Sequence, residues 1–561
     1  MNTFLSLSLL ATAALGSCQN ASATAAATAT TGDLPTVTLD YSTIQAVGGN
    51  TTVGYYKYQN IRFAAVPTGD LRWAAPQWPP QETEVNTGSL ADADVACSSS
   101  EDCLYLDVWA PADAVGRDLP VVVWTYGGGF TGGSKAENTP EGLFDLSTDF
   151  VFVSYNYRLG LTGLANGPTY NHQGGIANTA IWDVSHAFEW VQKYISNFGG
   201  NPSDVTAIGF SAGASQVLFQ MTRFAGRAEQ LFHKAYVMSP GFVPGAGHHQ
   251  AEMFWQNVST AVGCTGGDIT CMRAVDFDTL TDAASTVQSN YSYQFQPRVD
   301  GLIIADTYEA QFYQGRFNFT GPVVATHEQH EANGQAYSGV DTDDDVAAEL
   351  RLFFPAVADD VVDQLLAYYP ADDYESPGLR FSDMKQHFDL TAHNLALTNA
   401  MKNQTWNAMV ALDSATHGTD QSYYWYSTYT LDTSSSDDST TTTTSSAAVS
   451  DVATATSAAP SATGTSAGNS TSGGPGGSSS GGMGGGSSSV NATIAVTMQK
   501  YLLSFILNGD PNAQWADDKL YWPRYNESEV GTELVFNTTM YTQDDDLAIE
   551  KVVYWNKALW Y

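Results

Sequence analysis

The sequence predicts an α/β fold with a mostly parallel central sheet. Short runs of β-branched and aromatic residues alternate with longer stretches whose apolar residues recur at helical spacing. The chain has 561 residues and 43% hydrophobic composition, which is enough for a large core. No internal repeat is visible, and length alone permits one large domain or several smaller ones.

Three short runs are predicted strands: "LPVVVWTY" at 119–126, "DFVFVSYNY" at 149–157 and "DVTAIGF" at 204–210. Their continuous apolar character is typical of strands that are buried on both faces of a parallel sheet. Residues 178–200 lie between the second and third runs and form a predicted helix. The apolar face of this helix consists of Ile181, Val184, Phe188, Val191 and Ile195.

One composition break divides the chain. Nearly every residue at 432–489 is Ser, Thr, Ala, Gly or Asp, so this segment cannot bury apolar area. It is predicted to be a disordered linker or loop that offers O-glycan acceptors. A helical pattern resumes at 496–512 and is expected to end at Gly509. We therefore interpret 432–489 as an insertion within a single domain that spans 24–561.

The N-terminal residues predict secretion. Residues 1–23 contain an apolar run that is too short to span a bilayer and ends in small residues, as in a secretory signal. Cys18 leaves with this signal, and a lipid-anchored Cys18 is the alternative. No other apolar stretch is long enough for a span, so no stable membrane anchor is expected. Sequons for N-glycans support an extracellular protein, with acceptors at Asn50, Asn257, Asn290, Asn318, Asn403, Asn491, Asn526 and Asn537.

The formal net charge of −37 excludes two classes of partner. A surface with 22 Lys and Arg against 59 Asp and Glu repels nucleic acid and anionic lipid. The same charge favours solubility and carries no direct information about the fold.

Four cysteines remain beyond the predicted signal, and an even number indicates two disulfides in an oxidising compartment. The simplest pairing joins sequence neighbours, Cys97 with Cys103 and Cys264 with Cys271, and four free thiols are the alternative. No His or Cys cluster shows the spacing of metal ligands, so no metal is expected.

The pattern G-x-S-x-G occurs at 209–213, around Ser211, and again at 477–481, around Ser479. Ser211 lies between a predicted strand and a segment that can form a helix, whereas Ser479 lies inside the low-complexity stretch. A nucleophilic serine on a sharp strand-to-helix turn has no room for neighbouring side chains, hence the glycines. The context predicts that Ser211 is a nucleophile and Ser479 is not, and a tight turn without chemistry is the alternative at Ser211.

With these motifs the sequence resembles the type B carboxylesterases, the cholinesterase-like branch of the α/β-hydrolase fold. The matching pieces include "EDCLYLDVWAP", "VVVWTYGGGF", "SYNYRLG", "NPSDVTAIGFSAGAS" and "ATHGTDQSYYW", and the matches span nearly the whole chain outside the insertion. The resemblance implies an α/β-hydrolase fold, with a large, mostly parallel sheet flanked by helices. It also implies a serine carboxylesterase that uses no cofactor.

The resemblance assigns an oxyanion hole to three backbone N–H groups. The glycines of "YGGGF" imply that Gly128 and Gly129 contribute two of these donors and that Ala212, next to the nucleophile, contributes the third. Such donors stabilise the negative charge that develops on the carbonyl oxygen of an ester during acyl transfer.

The resemblance also assigns a base and an acid. His417 lies in "ATHG", which is similar to the His-Gly loop of the family, and is expected to take the proton of Ser211. Alignment of "PVVATH" favours Glu331 over Glu328 as the carboxylate that orients His417, although the family usually has Glu-Gly here and Ala332 follows Glu331.

Two departures from the family pattern bear on the substrate. Phe210 precedes the nucleophile where many relatives have Glu, so a carboxylate that attracts cationic substrates is missing. The loop between Cys97 and Cys103 holds only "SSSED", which is too short for a mobile lid or for choline-stacking residues. Both departures argue against choline esters, and the second also argues against a lipase with a mobile lid.

The sequence thus predicts a secreted serine carboxylesterase that hydrolyses small-molecule or lipid esters through an acyl-enzyme intermediate. A triacylglycerol lipase and an esterase for aromatic or polyol esters are the alternatives within the enzyme class. A non-catalytic adhesion or binding protein on the same fold is the alternative from another class.

Overall fold

The computed structural model describes residues 34–243, 247–291, 294–332, 334–427, 490–527 and 531–556. In these ranges the chain forms a central sheet of 11 strands and a separate sheet of three short strands. The strands are β1 Thr36–Thr38, β2 Thr43–Gln45, β3 Gly48–Asn50, β4 Tyr55–Arg62, β5 Val85–Asn86, β6 Tyr105–Pro111, β7 Leu119–Thr125, β8 Val151–Tyr155, β9 Gly200–Phe210, β10 Lys234–Met238, β11 Val323–Glu328, β12 Trp406–Val410, β13 Thr532–Phe536 and β14 Tyr541–Asp544.

The central sheet is parallel in its middle and antiparallel at both edges. Its order is β14-β13-β12-β11-β10-β9-β7-β8-β6-β4-β3, and the run from β13 to β8 is parallel throughout. Strand β14 closes one edge antiparallel, and β6, β4 and β3 close the other. The small sheet has the order β1-β2-β5. This topology confirms the predicted α/β fold with a mostly parallel sheet.

Helices flank the sheet, and a π-helical turn at His387–Thr391 separates α12 from α13. The helices are α1 Glu141–Phe144, α2 Gly160–Leu164, α3 Pro168–His172, α4 Thr179–Tyr194, α5 Ala212–Gly226, α6 His248–Ala261, α7 Ile269–Arg273, α8 Phe277–Tyr291, α9 Tyr308–Tyr313, α10 Asp343–Phe353, α11 Asp359–Tyr368, α12 Pro377–Gln386, α13 Ala392–Ala400, α14 Gln421–Tyr424, α15 Ala492–Asn508 and α16 Glu550–Asn556.

The predicted elements are present, with shifted ends. Strand β9 begins at Gly200 rather than at residue 204, because Gly200 pairs with Leu119 of β7 across an irregular register. Helix α15 begins earlier than its pattern indicated, since the side chain of Asn491 accepts a hydrogen bond from the N–H of Thr493 at 3.1 Å and caps the first turn. The same helix ends as predicted, with Gly509 in the left-handed conformation at φ 71°.

Both predicted disulfides are present, Cys97 with Cys103 and Cys264 with Cys271. The short loop inside the first pair is held by Arg72, whose guanidinium donates two hydrogen bonds to the Glu101 carboxylate, at 2.5 and 2.8 Å. Both side chains of this ion pair are buried. A loop that is cross-linked and anchored in this way is a fixed part of the surface and does not serve as a mobile lid.

Two predicted segments, the signal at 1–23 and the insertion at 432–489, lie outside the described residues. The segments that flank the insertion contact each other, because Nε2 of Gln499 in α15 donates to the carbonyl oxygens of Tyr426, at 2.6 Å, and Tyr424, at 3.2 Å. The single-domain organisation stays a prediction. Among the described helices, none combines the length and the apolar character that a membrane crossing requires.

Candidate active site

The predicted site residues lie at the carboxyl ends of three parallel strands. Ser211 follows β9, Glu331 follows β11, and His417 lies between β12 and α14. Strand β10 lies between β9 and β11, and β12 is the next neighbour of β11. Because the carboxyl ends of parallel strands meet at one edge of a sheet, residues distant in sequence converge there.

Ser211 occupies a strained backbone conformation at the turn from β9 to α5. Its φ and ψ are 55° and −127°, a region that non-glycine residues rarely adopt. The glycines on either side are required by close contacts: a Cβ at Gly209 would lie 2.4 Å from the Gly213 oxygen, and one at Gly213 would lie 2.1 Å from the Thr125 oxygen. The turn therefore has the sterically enforced form of a nucleophile elbow.

The backbone around Ser211 is held on both sides. Its N–H donates to the carbonyl oxygen of Met238 at 2.9 Å, and its carbonyl oxygen accepts from the N–H of Gly241 at 3.0 Å. Gly241 is a site residue that sequence reasoning missed, since a Cβ there would lie 3.2 Å from the Ser211 hydroxyl oxygen. A side chain at this position would crowd the hydroxyl, whereas glycine leaves this face of it open.

His417 bridges the serine and a glutamate. Its Nε2 lies 2.8 Å from Oγ of Ser211, and its Nδ1 lies 2.6 Å from Oε2 of Glu331. A proton on Nδ1 donates to the carboxylate and leaves Nε2 to accept the serine hydroxyl proton, which is the tautomer that a general base needs. About a quarter of the His417 side chain, 25%, is exposed, whereas that of Glu331 is 1% exposed. The imidazole of His417 is thus accessible to solvent, while the carboxylate of Glu331 is shielded from it.

The two candidate glutamates have different partners. Glu331 contacts His417 and also accepts, through Oε1, the N–H of Glu328 at 2.8 Å. The carboxyl group of Glu328 instead accepts the N–H of Asp420 at 2.7 Å. The backbone of Glu328 therefore orients Glu331, and its side chain ties the loop after β11 to the loop that carries His417.

Burial changes the protonation of the groups behind His417. It raises the pKa of Glu328 well above its ordinary value, with the charges of Asp420 and Glu331 acting in the same direction. Burial also raises the pKa of Asp420 to about 6. Glu328 therefore takes up a proton more readily than an ordinary glutamate.

The pKa of His417 is raised above its ordinary value near 6.5. Burial alone acts in the opposite direction and is the largest single influence. The charge and hydrogen bond of Glu331, together with the charges of Asp389 and Asp420, outweigh it. The imidazole therefore holds a proton more readily than a free histidine does.

The glycine loop that carries two of the predicted oxyanion donors lies beside the serine. Gly127 packs against it, since a Cβ there would lie 2.9 Å from the Cβ of Ser211, and the exposed Gly128 and Gly129 follow with φ angles of 101° and 60°. Within the described residues, the backbone hydrogen bonds outside helices and strands include none donated by the N–H groups of Gly128, Gly129 or Ala212. The role of these N–H groups as oxyanion donors stays a prediction.

Phe210 packs against the imidazole of His417. The ring centroids of Phe210 and His417 lie 4.7 Å apart, with the planes inclined by 31°. Sequence reasoning treated this position only as the loss of a carboxylate. The structure adds a packing contact, in which the ring lies against one face of the imidazole.

The π-helical turn at His387–Thr391 contributes two more residues that the sequence did not indicate. The side chain of Leu390 lies against Gly241, since a Cβ there would be 3.2 Å from the Leu390 side chain. The carbonyl oxygen of Asp389 accepts the N–H of Phe242 at 2.9 Å. Single π-helical turns are frequent at functional sites, but no local residue pattern marks this one.

A serine, a histidine and a glutamate on loops after the parallel strands of this sheet define the class of α/β-hydrolases. The chain belongs to the carboxylesterase family, whose family model matches residues 34–555. This membership places the protein among the carboxylic ester hydrolases.

Two curated relatives illustrate the range of the similarity. A protein named secreted lipase from Arthroderma benhamiae is 29% identical over 346 residues, which cover 59% of this chain and 67% of that protein. A fumonisin B1 esterase from Sphingopyxis macrogoltabida is 34% identical over 281 residues, which cover 46% of this chain and 50% of that protein. The alignments therefore extend over about half to two thirds of these relatives.

A solved structure matches almost the whole chain. The crystal structure of Aspergillus niger EstA superposes with a TM-score of 0.74 at 21% identity and covers 94% of this chain and 98% of that one. At this identity the likeness concerns the fold, and it confirms the predicted α/β-hydrolase architecture.

Proposed function

We propose that this chain hydrolyses carboxylic esters through an acyl-enzyme formed on Ser211, with His417 and Glu331 as its partners. The observation that carries the proposal is the unbroken contact chain from Oγ of Ser211 through the imidazole to the buried carboxylate. A serine hydroxyl is a weak nucleophile, and a base in hydrogen-bond contact activates it.

The proton follows this contact chain. Oγ of Ser211 attacks the ester carbonyl carbon while Nε2 of His417 takes the hydroxyl proton, and the Glu331 carboxylate stabilises the imidazolium. The tetrahedral oxyanion accepts hydrogen bonds from the N–H groups of Gly128, Gly129 and Ala212. His417 then protonates the leaving alcohol. A water molecule, deprotonated in turn by His417, hydrolyses the acyl-enzyme and releases the acid.

Neutral esters are the substrate class that the surroundings favour. Phe210 places an aromatic ring where a carboxylate would attract a cation, and Leu390 adds apolar surface beside Gly241. The loop between Cys97 and Cys103 is short and anchored, so it does not supply the mobile lid of a lipase. A lipase function is the second candidate, because a relative bears the name secreted lipase.

We also propose that the protein is secreted and glycosylated. The N-terminal apolar segment, the two disulfides and the name of the secreted lipase from Arthroderma benhamiae all agree with export. Several sequon residues are exposed and accessible to a glycosyltransferase, namely Asn50, Asn290, Asn491 and Asn526.

Covalent labelling tests the mechanism directly. Incubation with a p-nitrophenyl dialkyl phosphate is expected to release one p-nitrophenol per chain, to abolish turnover of p-nitrophenyl acetate, and to leave a dialkyl phosphate on the peptide that contains Ser211. Peptide mass spectrometry identifies the labelled residue. Labelling elsewhere with full loss of activity, or continued turnover after labelling of Ser211, would contradict the proposal.

A further inference from the structure

We propose that His327, Glu533 and Asp546 form a binding site for a divalent transition-metal cation such as Zn²⁺, separate from the serine site. One ligand atom from each of these residues lies within 4.8 Å of the other two. His327 is the penultimate residue of β11, Glu533 lies in β13, and Asp546 follows β14 at the sheet edge.

The distances suit one small cation. Nε2 of His327 lies 3.0 Å from Oδ1 of Asp546. Two adjacent ligands at bond lengths of about 2.1 Å are separated by roughly 3.0 to 3.4 Å, and two opposite ligands by about 4.2 Å. The ligand atom of Glu533 lies within 4.8 Å of the other two, so inward movements of up to about 1 Å would bring the three atoms to a common ion.

Glu533 has a buried carboxylate oxygen that the ion pair of His327 and Asp546 does not account for. Its side chain is fully buried, and Oε1 accepts a hydrogen bond from Nε2 of Gln543 at 2.7 Å. Oε2 is buried and has no hydrogen-bond partner within the described residues. A buried carboxylate oxygen without a partner is costly, and a bound cation would satisfy it. Gln543 would then orient the ligand from behind, as groups around metal sites commonly do.

The local charges leave the site open to a cation. Glu533, Asp545 and Asp546 all place negative charge around His327, and a bound metal ion would take the place of the proton on Nε2 of its imidazole. Asp546 provides an entry path, since its side chain is 43% exposed while that of His327 is 4% exposed. Water can complete the coordination from the same side.

The donor set selects the class of metal. An imidazole nitrogen with carboxylate oxygens suits Zn²⁺ or Mn²⁺, whereas Ca²⁺ and Mg²⁺ prefer oxygen ligands only. The residues come from distant parts of the chain, since His327 and Asp546 are 219 positions apart in sequence. A search of the sequence for closely spaced ligands therefore has no means of finding this site.

Zinc content and thermal unfolding of the full chain test the proposal without reference to esterase activity. The protein is stripped with EDTA, dialysed, and given ZnCl₂, MnCl₂, CaCl₂ or MgCl₂. We expect about one tightly bound zinc per chain and a rise in Tm of about 3 °C at a hundredfold excess over Kd. Ca²⁺ and Mg²⁺ are expected to give no such rise, and an equal rise with Ca²⁺ would overturn the assigned metal class.

Two variants at the proposed site and one control variant distinguish zinc bound at this site from zinc bound elsewhere on the protein. Glu533→Gln and Asp546→Asn are expected to abolish both the bound zinc and the rise in Tm, whereas Glu309→Gln, in the buried pair with His393, is expected to leave both unchanged. All are made with His248→Gln and His249→Gln, because these exposed neighbours can bind zinc adventitiously. If Glu533→Gln does not fold, the Asp546→Asn variant decides. Retention of zinc and of the Tm rise in that variant, or absence of both in the parent, would refute the proposal.

Discussion

Two histidine–glutamate pairs lie near the carboxyl edge of the sheet, and of these two, the pair of His417 and Glu331 contacts a serine. His417 contacts Glu331 through Nδ1, and His393 contacts Glu309 through the same atom. Nε2 of His417 lies 2.8 Å from the hydroxyl of Ser211, whereas Nε2 of His393 lies 3.1 and 3.0 Å from the carbonyl oxygens of residues 242 and 389.

The two pairs differ in what Nε2 of the histidine contacts and in how exposed the imidazole is. Both imidazoles have a pKa above the ordinary value, since burial, which lowers it, is outweighed by the glutamate of each pair together with further hydrogen bonds and charges. The second nitrogen of His393 contacts backbone carbonyl oxygens, and its side chain is 2% exposed. The side chain of His417 is 25% exposed. The pair alone therefore does not define a catalytic base. A base also needs a reacting group on its other nitrogen and a route for substrate.

The largest effect on activity is expected from removal of the serine hydroxyl that contacts His417. Ser211→Ala leaves both histidine pairs intact and should lower kcat for p-nitrophenyl acetate on the order of a millionfold. The control is Ser479→Ala, at the second G-x-S-x-G pattern, which should keep wild-type kcat. Turnover close to wild type in the Ser211 variant would mean that the pair of His417 and Glu331 serves a structural purpose, like its counterpart.

The second test neutralises each glutamate in turn. Glu331→Gln keeps the side-chain volume but removes the charge that stabilises the imidazolium, so kcat should fall by about 10⁴ while Tm changes little. Glu309→Gln should have the reverse effect, lowering the free energy of unfolding by about 2 kcal/mol with kcat/KM nearly unchanged. Steady-state kinetics and thermal melts on both variants are required. Equal losses of activity in the two variants would show that the two pairs do not differ in function.

The third test uses pH, because the two raised pKa values act on different observables. Only the neutral form of His417 accepts the serine proton, so kcat/KM should rise with pH and its midpoint should lie above 6.5. Asp420→Asn removes a charge that raises the pKa of His417, and the midpoint should therefore move to lower pH. A midpoint that stays in place would separate Asp420 from the titration of His417.

His393 should affect stability over the same range. Its pKa is raised in the folded state, so its contribution is complete below the unfolded value near 6.5 and is lost as pH rises through the folded value. Activity and this part of the stability are thus expected to change in opposite directions above pH 6.5.

The sequence predicted best what depends on local sterics. The turn at Ser211 could be predicted because the strand before it, the helix after it and the two glycines beside it all lie within a few residues in the sequence. The disulfides likewise joined near neighbours. The roles of Gly241 and Asp420 could not be found, because each depends on a contact with a distant segment: Gly241 with Ser211, and Asp420 with Glu328. Phe210 was noticed, but its packing on His417 depends on where the loop after β12 returns.

The smallest expected effect concerns this aromatic contact. Phe210→Glu puts a carboxylate beside His417, and a unit charge at about 4 Å is worth roughly 1 to 4 kcal/mol, depending on the effective dielectric. The ratio of kcat/KM for a choline ester to that for its neutral isostere should therefore rise several-fold. Phe210→Leu removes the ring without adding charge and should leave the ratio unchanged. Both assays belong at high ionic strength, because the net charge of −37 attracts cations at low salt by itself. A strong choline preference of the wild type at high salt would show that another group binds the cation, and the substrate argument from Phe210 would then be wrong.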